Sequence, residues 1–226
     1  MPLIPNRFLF RVCYPCRYIA ELPREGSDDL LDLPESCRLD NFADMDERRS
    51  FADTRVAWNE GGLALQVEVR GKEQPAVGDV ARPRLSDGVT VWIDTRDART
   101  SHRASRYCHQ FHFLAAGGGP DKDEPAFVQS KINRALQDAP MVAAETVPFQ
   151  LVPRRSGYRL EAFLPSAALC GFDPEQNPRL GIHVAIHDRE LGEQSLSVGG
   201  DFPWSEDPSL WSALELVKEE TEESGG

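Results

Sequence analysis

Apolar and polar positions alternate with period two along most of the chain, the pattern of half-buried strands. Phe8, Phe10, Val12 and Tyr14 share one face of an opening strand. Val56 and Trp58 lead into Asn59-Glu-Gly-Gly62, a hairpin turn, after which Leu63, Leu65, Val67 and Val69 alternate with Ala64, Gln66, Glu68 and Arg70. Four more segments follow the same rule. They centre on Val89, Val91 and Ile93; on Tyr107, His109, Phe111 and Phe113; on Tyr158, Leu160, Ala162 and Leu164; and on Leu180, Ile182, Val184 and Ile186. Leu214 and Leu216 complete a terminal strand. Strands spaced by turn residues in this way predict an all-β chain folded as an antiparallel β-sandwich.

Helix is scarce. Ser166–Cys170 is long enough for one or two turns closed by Gly171. Phe127–Gln137 fits a short amphipathic helix and a strand equally well. Long loops are expected at Lys72–Ser86, Thr95–Ser105 and Ala115–Pro125. A length of 226 residues suits one sandwich domain. Residues 1–35 read as an N-terminal extension with one strand and an acidic linker from Asp28 to Glu35, residues 36–217 as the sandwich, and 218–226 as a disordered acidic tail.

Charge and cysteine usage narrow the function. The formal net charge is −12, against the basic footprint that nucleic acid or an anionic membrane surface requires, so neither is expected as a partner. No run approaches the length of a membrane span. Arg7, Arg11 and Arg17 interrupt the early apolar residues, and the five cysteines show no framework spacing. Reduced thiols in a cytoplasmic protein are therefore expected.

Chemistry-bearing residues are present without a catalytic pattern. Ser101, His102, Asp188 and Glu190 supply nucleophile, base and carboxylate types, but no spacing pairs them, and the chain holds no G-x-S-x-G, H-E-x-x-H or phosphate-binding glycine motif. No enzyme and no catalytic residue are expected. His183 and His187 are four apart on one strand, about 13 Å by strand rise, too far to share an ion, and the histidines are expected at the surface. Asp94 and Asp97 offer the hard oxygen ligands calcium takes, so a structural calcium is a candidate cofactor there, and no other cofactor is expected.

Trp204 sits in a turn-rich segment, Phe202 to Leu216, just ahead of the terminal strand. An exposed indole there would suit stacking on a sugar ring, whereas an inward one would be core. Trp211 is the better core residue of the two.

The order of elements resembles the family 9 carbohydrate-binding module, within the wider group of sandwiches related to the dopamine β-monooxygenase N-terminal (DOMON) domain. The resemblance rests on Arg55–Val69, Asp87–Asp94, Gly157–Pro165 and Leu180–Asp188, followed by Trp204, Asp207-Pro-Ser209 and Leu214-Glu-Leu216. It implies a non-catalytic module that holds a sugar between two loop tryptophans at one rim. Trp204 matches the second of these positions. Arg84 stands at the first, and Thr90 at a position where the family places an acidic residue. The expected ligand contacts are thus Trp204, Arg84, Thr90 and Trp92, the last either packed under a loop or part of that surface. Two family positions have changed, which implies a degenerate sugar site. The alternative is a protein-interaction or structural scaffold that kept the sandwich and lost carbohydrate binding, so the partner is a carbohydrate or a protein.

Overall fold

The computed structural model describes residues 12–24, 26–42, 49–197 and 202–218. Among these, twelve strands form and the helical segments are single 3₁₀ turns. The strands are β1 (Cys13–Tyr18), β2 (Arg38–Leu39), β3 (Ala52–Asn59), β4 (Gly62–Arg70), β5 (Gly88–Asp94), β6 (Cys108–Gly118), β7 (Glu124–Ser130), β8 (Phe149–Arg154), β9 (Gly157–Pro165), β10 (Arg179–Asp188), β11 (Gly192–Ser195) and β12 (Ser212–Val217).

They hydrogen-bond in the order β7-β6-β5-β10-β12-β1-β3-β4-β9-β8, with β11 added to β10 and β2 to β3. The path folds over on itself, so that Phe113 of β6 meets Phe149 of β8 at 5.7 Å between ring centroids. The predicted all-β sandwich is what forms, with one departure from a wholly antiparallel arrangement. β1 runs parallel to both its neighbours, β12 and β3.

The alternation chooses the inward face. Val56 and Trp58, Leu63 to Val69, Val89 to Ile93, Phe111 and Phe113, Leu180 to Ile186, and Leu214 and Leu216 contribute their period-two positions to one main core. The β3–β4 hairpin closes at the predicted residues, with Asn59 opposite Gly62. Gly62 has φ +152°, and a Cβ on it would stand 2.1 Å from the Leu164 carbonyl oxygen, so the close approach of β4 to β9 requires glycine there.

Several segments depart from expectation. β6 continues through Gly118 and β7 starts at Glu124, so most of the loop expected at Ala115–Pro125 is a hairpin. Of the two readings of Phe127–Gln137, the strand holds as far as Ser130. β2, β8 and β11 carry no clear alternation and escape sequence reading. The opening strand holds a proline. β1 passes through Pro15 where it is bonded to β12 alone, since its pairing with β3 begins at Arg17, and a missing N–H is tolerated on an open edge. Phe8, Phe10, and the tail beyond Lys218 lie outside the described residues.

The segment read as an N-terminal extension supplies β1 in the middle of the sheet and then covers an outer face. Leu22, Leu31, Leu33 and Cys37 pack on Ala57, Ala64 and Phe163, forming a second apolar cluster. Within the stretch read as an acidic linker, the amides of Leu30 and Leu31 donate to Glu161 Oε2 at 2.8 and 3.1 Å. Arg159 Nε lies 2.9 Å from the other Glu161 oxygen, so this buried carboxylate is paired as well as hydrogen-bonded.

Candidate functional site

The outward face of β5, β6, β7 and β10 is set by register. One row runs Ala185, Thr90, His112, Val128, and the next runs His183, Trp92, Gln110, Ser130. Such a face would normally meet water. Here the segments around Ala104, Ile132 and 202–211 cover part of it and make a third cluster of Trp92, Ala104, Cys108, Ile132, Ala185, Trp204 and Trp211.

The terminal loop is folded by its own polar residues. Asp207 accepts from the Ser209 amide at 2.9 Å and caps the 3₁₀ turn Pro208–Leu210. Trp211 Nε1 donates to the Trp204 carbonyl oxygen at 2.7 Å and draws the loop down. Trp204 is consequently turned inward, 5% exposed. Its indole meets Trp92 edge-on at 4.9 Å and the His183 ring at 4.4 Å. Both Trp204 and Trp211 are core, and the first is no open stacking platform in this state. Trp92 is fully buried beneath the loop, the packed one of its two expected positions.

Arg84 comes to the same place from the other side. It lies in the 3₁₀ turn Pro83–Leu85, and its guanidinium carbon stands 5.7 Å from the Trp204 ring centroid. This is a cation–π arrangement. Arg84, Leu85, Gln110, His112, Ser130 and Ser205 help to line a cavity of about 360 Å³ at this rim. The structure therefore brings Arg84, Trp204 and Trp92 together in one group, with Arg84 outermost.

Thr90 is buried, and its Oγ1 lies 2.8 Å from His112 Nδ1. On the other side of that ring, His112 Nε2 is 2.7 Å from Ser130 Oγ and 3.1 Å from Gln110 Nε2. An amide nitrogen only donates, so Nε2 accepts and Nδ1 carries the proton toward Thr90. Burial, with the Arg84 charge adding to it, pushes the His112 pKa down to about 4, which keeps the ring neutral. Sequence reasoning missed His112, Gln110 and Ser130 as rim residues. Their period-two spacing across the β6–β7 pair was the available signal.

Three of the five histidines do not lie at the surface as expected, while His102 is exposed and His187 half-buried. His109, His112 and His183 are buried, because one face of their strands is the main core and the other is roofed by loops. His109 stacks on Phe111 at 5.5 Å, and burial lowers its pKa to about 4.

Asp94 and Asp97 lie in one turn. The Asp94 oxygens accept from the amides of Arg96 and Ala98 at 3.0 and 2.7 Å. Asp97 is 2.8 Å from Arg99 Nε and 3.6 Å from Arg179 Nε. Among the described residues, no group of three or more His, Cys, Asp or Glu side chains could hold a metal ion.

His102, Asp207 and Ser209 do meet, but both oxygens approach the same ring nitrogen. Nδ1 is 3.0 Å from Asp207 Oδ2 and 3.0 Å from Ser209 Oγ. A nucleophile–base–orienter relay uses opposite nitrogens, so this cluster is a loop cap.

No known family model matches the chain, and no curated protein matches it in sequence. Solved structures do. The chain is similar to a carbohydrate-binding module of family 9 from Caldicellulosiruptor kristjanssonii in complex with cellotriose, with a TM-score of 0.58 at 14% identity, covering 92% of this chain and 95% of that one. A family 9 module from the same organism in complex with glucose matches with a TM-score of 0.51 at 13% identity, over 75% and 78% of the two chains. The chain thus has the fold of a family 9 carbohydrate-binding module.

Proposed function

We propose that this chain is a non-catalytic, carbohydrate-binding-module-like domain with a degenerate sugar site, its ligand met at the rim where Arg84 covers Trp204. The observation that carries this reading is the position of that pair: a cation stacked on an indole beside a cavity, on the fold of modules solved with cellotriose and glucose. Arg84 takes the outer place that a second aromatic wall would have, and its guanidinium plane offers a flat surface for a pyranose ring. Thr90 and Trp92 act beneath it, Thr90 by holding His112 and Trp92 by backing Trp204. The lack of a relay geometry at His102 supports the non-catalytic reading. The free state of all five cysteines supports a reducing, cytoplasmic setting.

The test is calorimetric titration of the intact protein with soluble gluco-oligosaccharides beside a glycan panel. Saturable binding weakened by Arg84→Ala is expected, whereas no binding to any glycan refutes the reading. In that event the scaffold alternative takes over. A separate observation favours it: Val77, Val80 and Leu85, on one segment next to the rim, are all exposed, Leu85 by 64%.

A further inference from the structure

The charge at the rim opposes that of the molecule. The protein carries a formal net charge of −12, yet the lining of the cavity beside Arg84 includes Arg82, Arg84 and Lys131 and no carboxylate. Two of these cations are compensated from outside the cavity. Arg82 Nε is 3.3 Å from Asp79, and Lys131 Nζ is 2.6 Å from Asp138. Arg84 has no ion-pair partner among the described residues, and its guanidinium lies over the neutral Trp204 ring. The ring of His112 within the same cavity is also held neutral. Among the described residues, one exposed guanidinium without an ion pair therefore sits at the mouth of a cavity whose other two cations are paired and whose remaining polar groups are uncharged.

Neutral hydroxyls need no such charge. A planar carboxylate does match it, because a guanidinium presents paired N–H donors in a fork that a carboxylate accepts bidentately. Its position over Trp204 holds the guanidinium at the rim in advance, which lowers the ordering cost of using it. Across the Pro83–Leu85 turn, a second cavity of about 620 Å³ shares Arg82 and Leu85 and adds Lys122 and Arg189. Asp79 and Asp188 line that second cavity as well, so the carboxylate-free lining is confined to the cavity beside Arg84.

We infer that the saccharide taken at this rim is anionic, a uronic-acid-bearing oligosaccharide whose carboxylate pairs with Arg84. The inference rests on the carbohydrate reading above and names the substrate class for the same site. A sulfate ester offers related chemistry but is tetrahedral, a poorer match to the planar fork.

The experiment titrates the intact protein with a neutral gluco-oligosaccharide, a uronate oligosaccharide and a sulfated gluco-oligosaccharide of matched length, at low and high salt. The uronate is expected to bind about tenfold more tightly than the neutral ligand at low salt, with the advantage shrinking as salt rises. Arg84→Gln should abolish that advantage, and Arg154→Gln, on β8 away from the rim, should keep it. Equal affinity for neutral and uronate ligands would overturn the anionic assignment while leaving the carbohydrate reading intact. Preference for the sulfated ligand would overturn the uronate assignment. Absence of all binding would remove both readings, and an advantage that survives Arg84→Gln would remove the role given to Arg84.

Discussion

Replacing Trp204 by alanine separates a core indole from a stacking platform. The side chain is 5% exposed and touches Trp92 and His183 beneath it and Arg84 above. A buried tryptophan removes on the order of 200 Å² from water, worth about 5 kcal/mol at about 25 cal/mol per Å². One offset is visible. Trp204 Nε1 is buried without a hydrogen-bond partner among the described residues, so deleting it relieves a desolvation cost of about 1 kcal/mol. The expected loss is about 4 kcal/mol, within the range of aromatic-to-alanine truncations in cores. For a chain of this length that corresponds to a fall in melting temperature of roughly 10 °C. Urea unfolding followed by circular dichroism measures the loss, and near-ultraviolet dichroism reports the Trp92–Trp204 pair directly. Trp204→Phe, which keeps a ring, should recover part of the loss. A cost below about 1 kcal/mol with an unchanged near-ultraviolet spectrum would refute the reasoning and return Trp204 to the surface.

Four further outcomes are expected. The pKa values of His109 and His112, near 4 when folded against an ordinary 6.5, mean that only the unfolded chain takes up their protons between those values. Their share of stability is therefore complete above about pH 6.5 and lost as pH falls toward 4, by up to about 3 kcal/mol each. Urea midpoints across that range test this, and a flat profile contradicts it. Glu161→Ala should cost about 3 kcal/mol, since it leaves the amides of Leu30 and Leu31 unsatisfied and removes one carboxylate partner of Arg159, which keeps Asp29 and Asp32, and it should expose residues 28–33 to protease. Unaltered proteolysis would show that this segment is held by its leucines alone. All five thiols should react with a thiol reagent in the denatured, non-reduced protein, and stable disulfides would overturn the reducing compartment. Calcium held at the Asp94–Asp97 turn would raise the melting temperature by mass action, while an unchanged midpoint after addition and chelation would leave that turn to its amides and arginines.

The sequence by itself determined the class of fold and much of its strand plan. Period-two alternation and turn residues are local signals, so β3, β4, β5, β6, β9, β10 and β12 and the Asn59–Gly62 hairpin could be read without knowing their neighbours. It also placed Arg84 and Trp204 at one rim through the resemblance to family 9 modules. Only the tertiary structure decided which outward faces stay wet. Alternation assigns His112, His183, Thr90 and Trp92 to the face opposite the main core, but whether that face meets solvent depends on chain distant in sequence. The 202–211 loop roofs Trp92 and His183, and residues 22–37 roof Ala64 and Phe163. The same limit hid the central position of β1, since strand order is set by long-range pairing that no local pattern encodes. Burial is a property of where two remote segments meet. That is why the sequence could bring Arg84 and Trp204 to one rim, while the fold decided that Arg84 is exposed there and Trp204 buried.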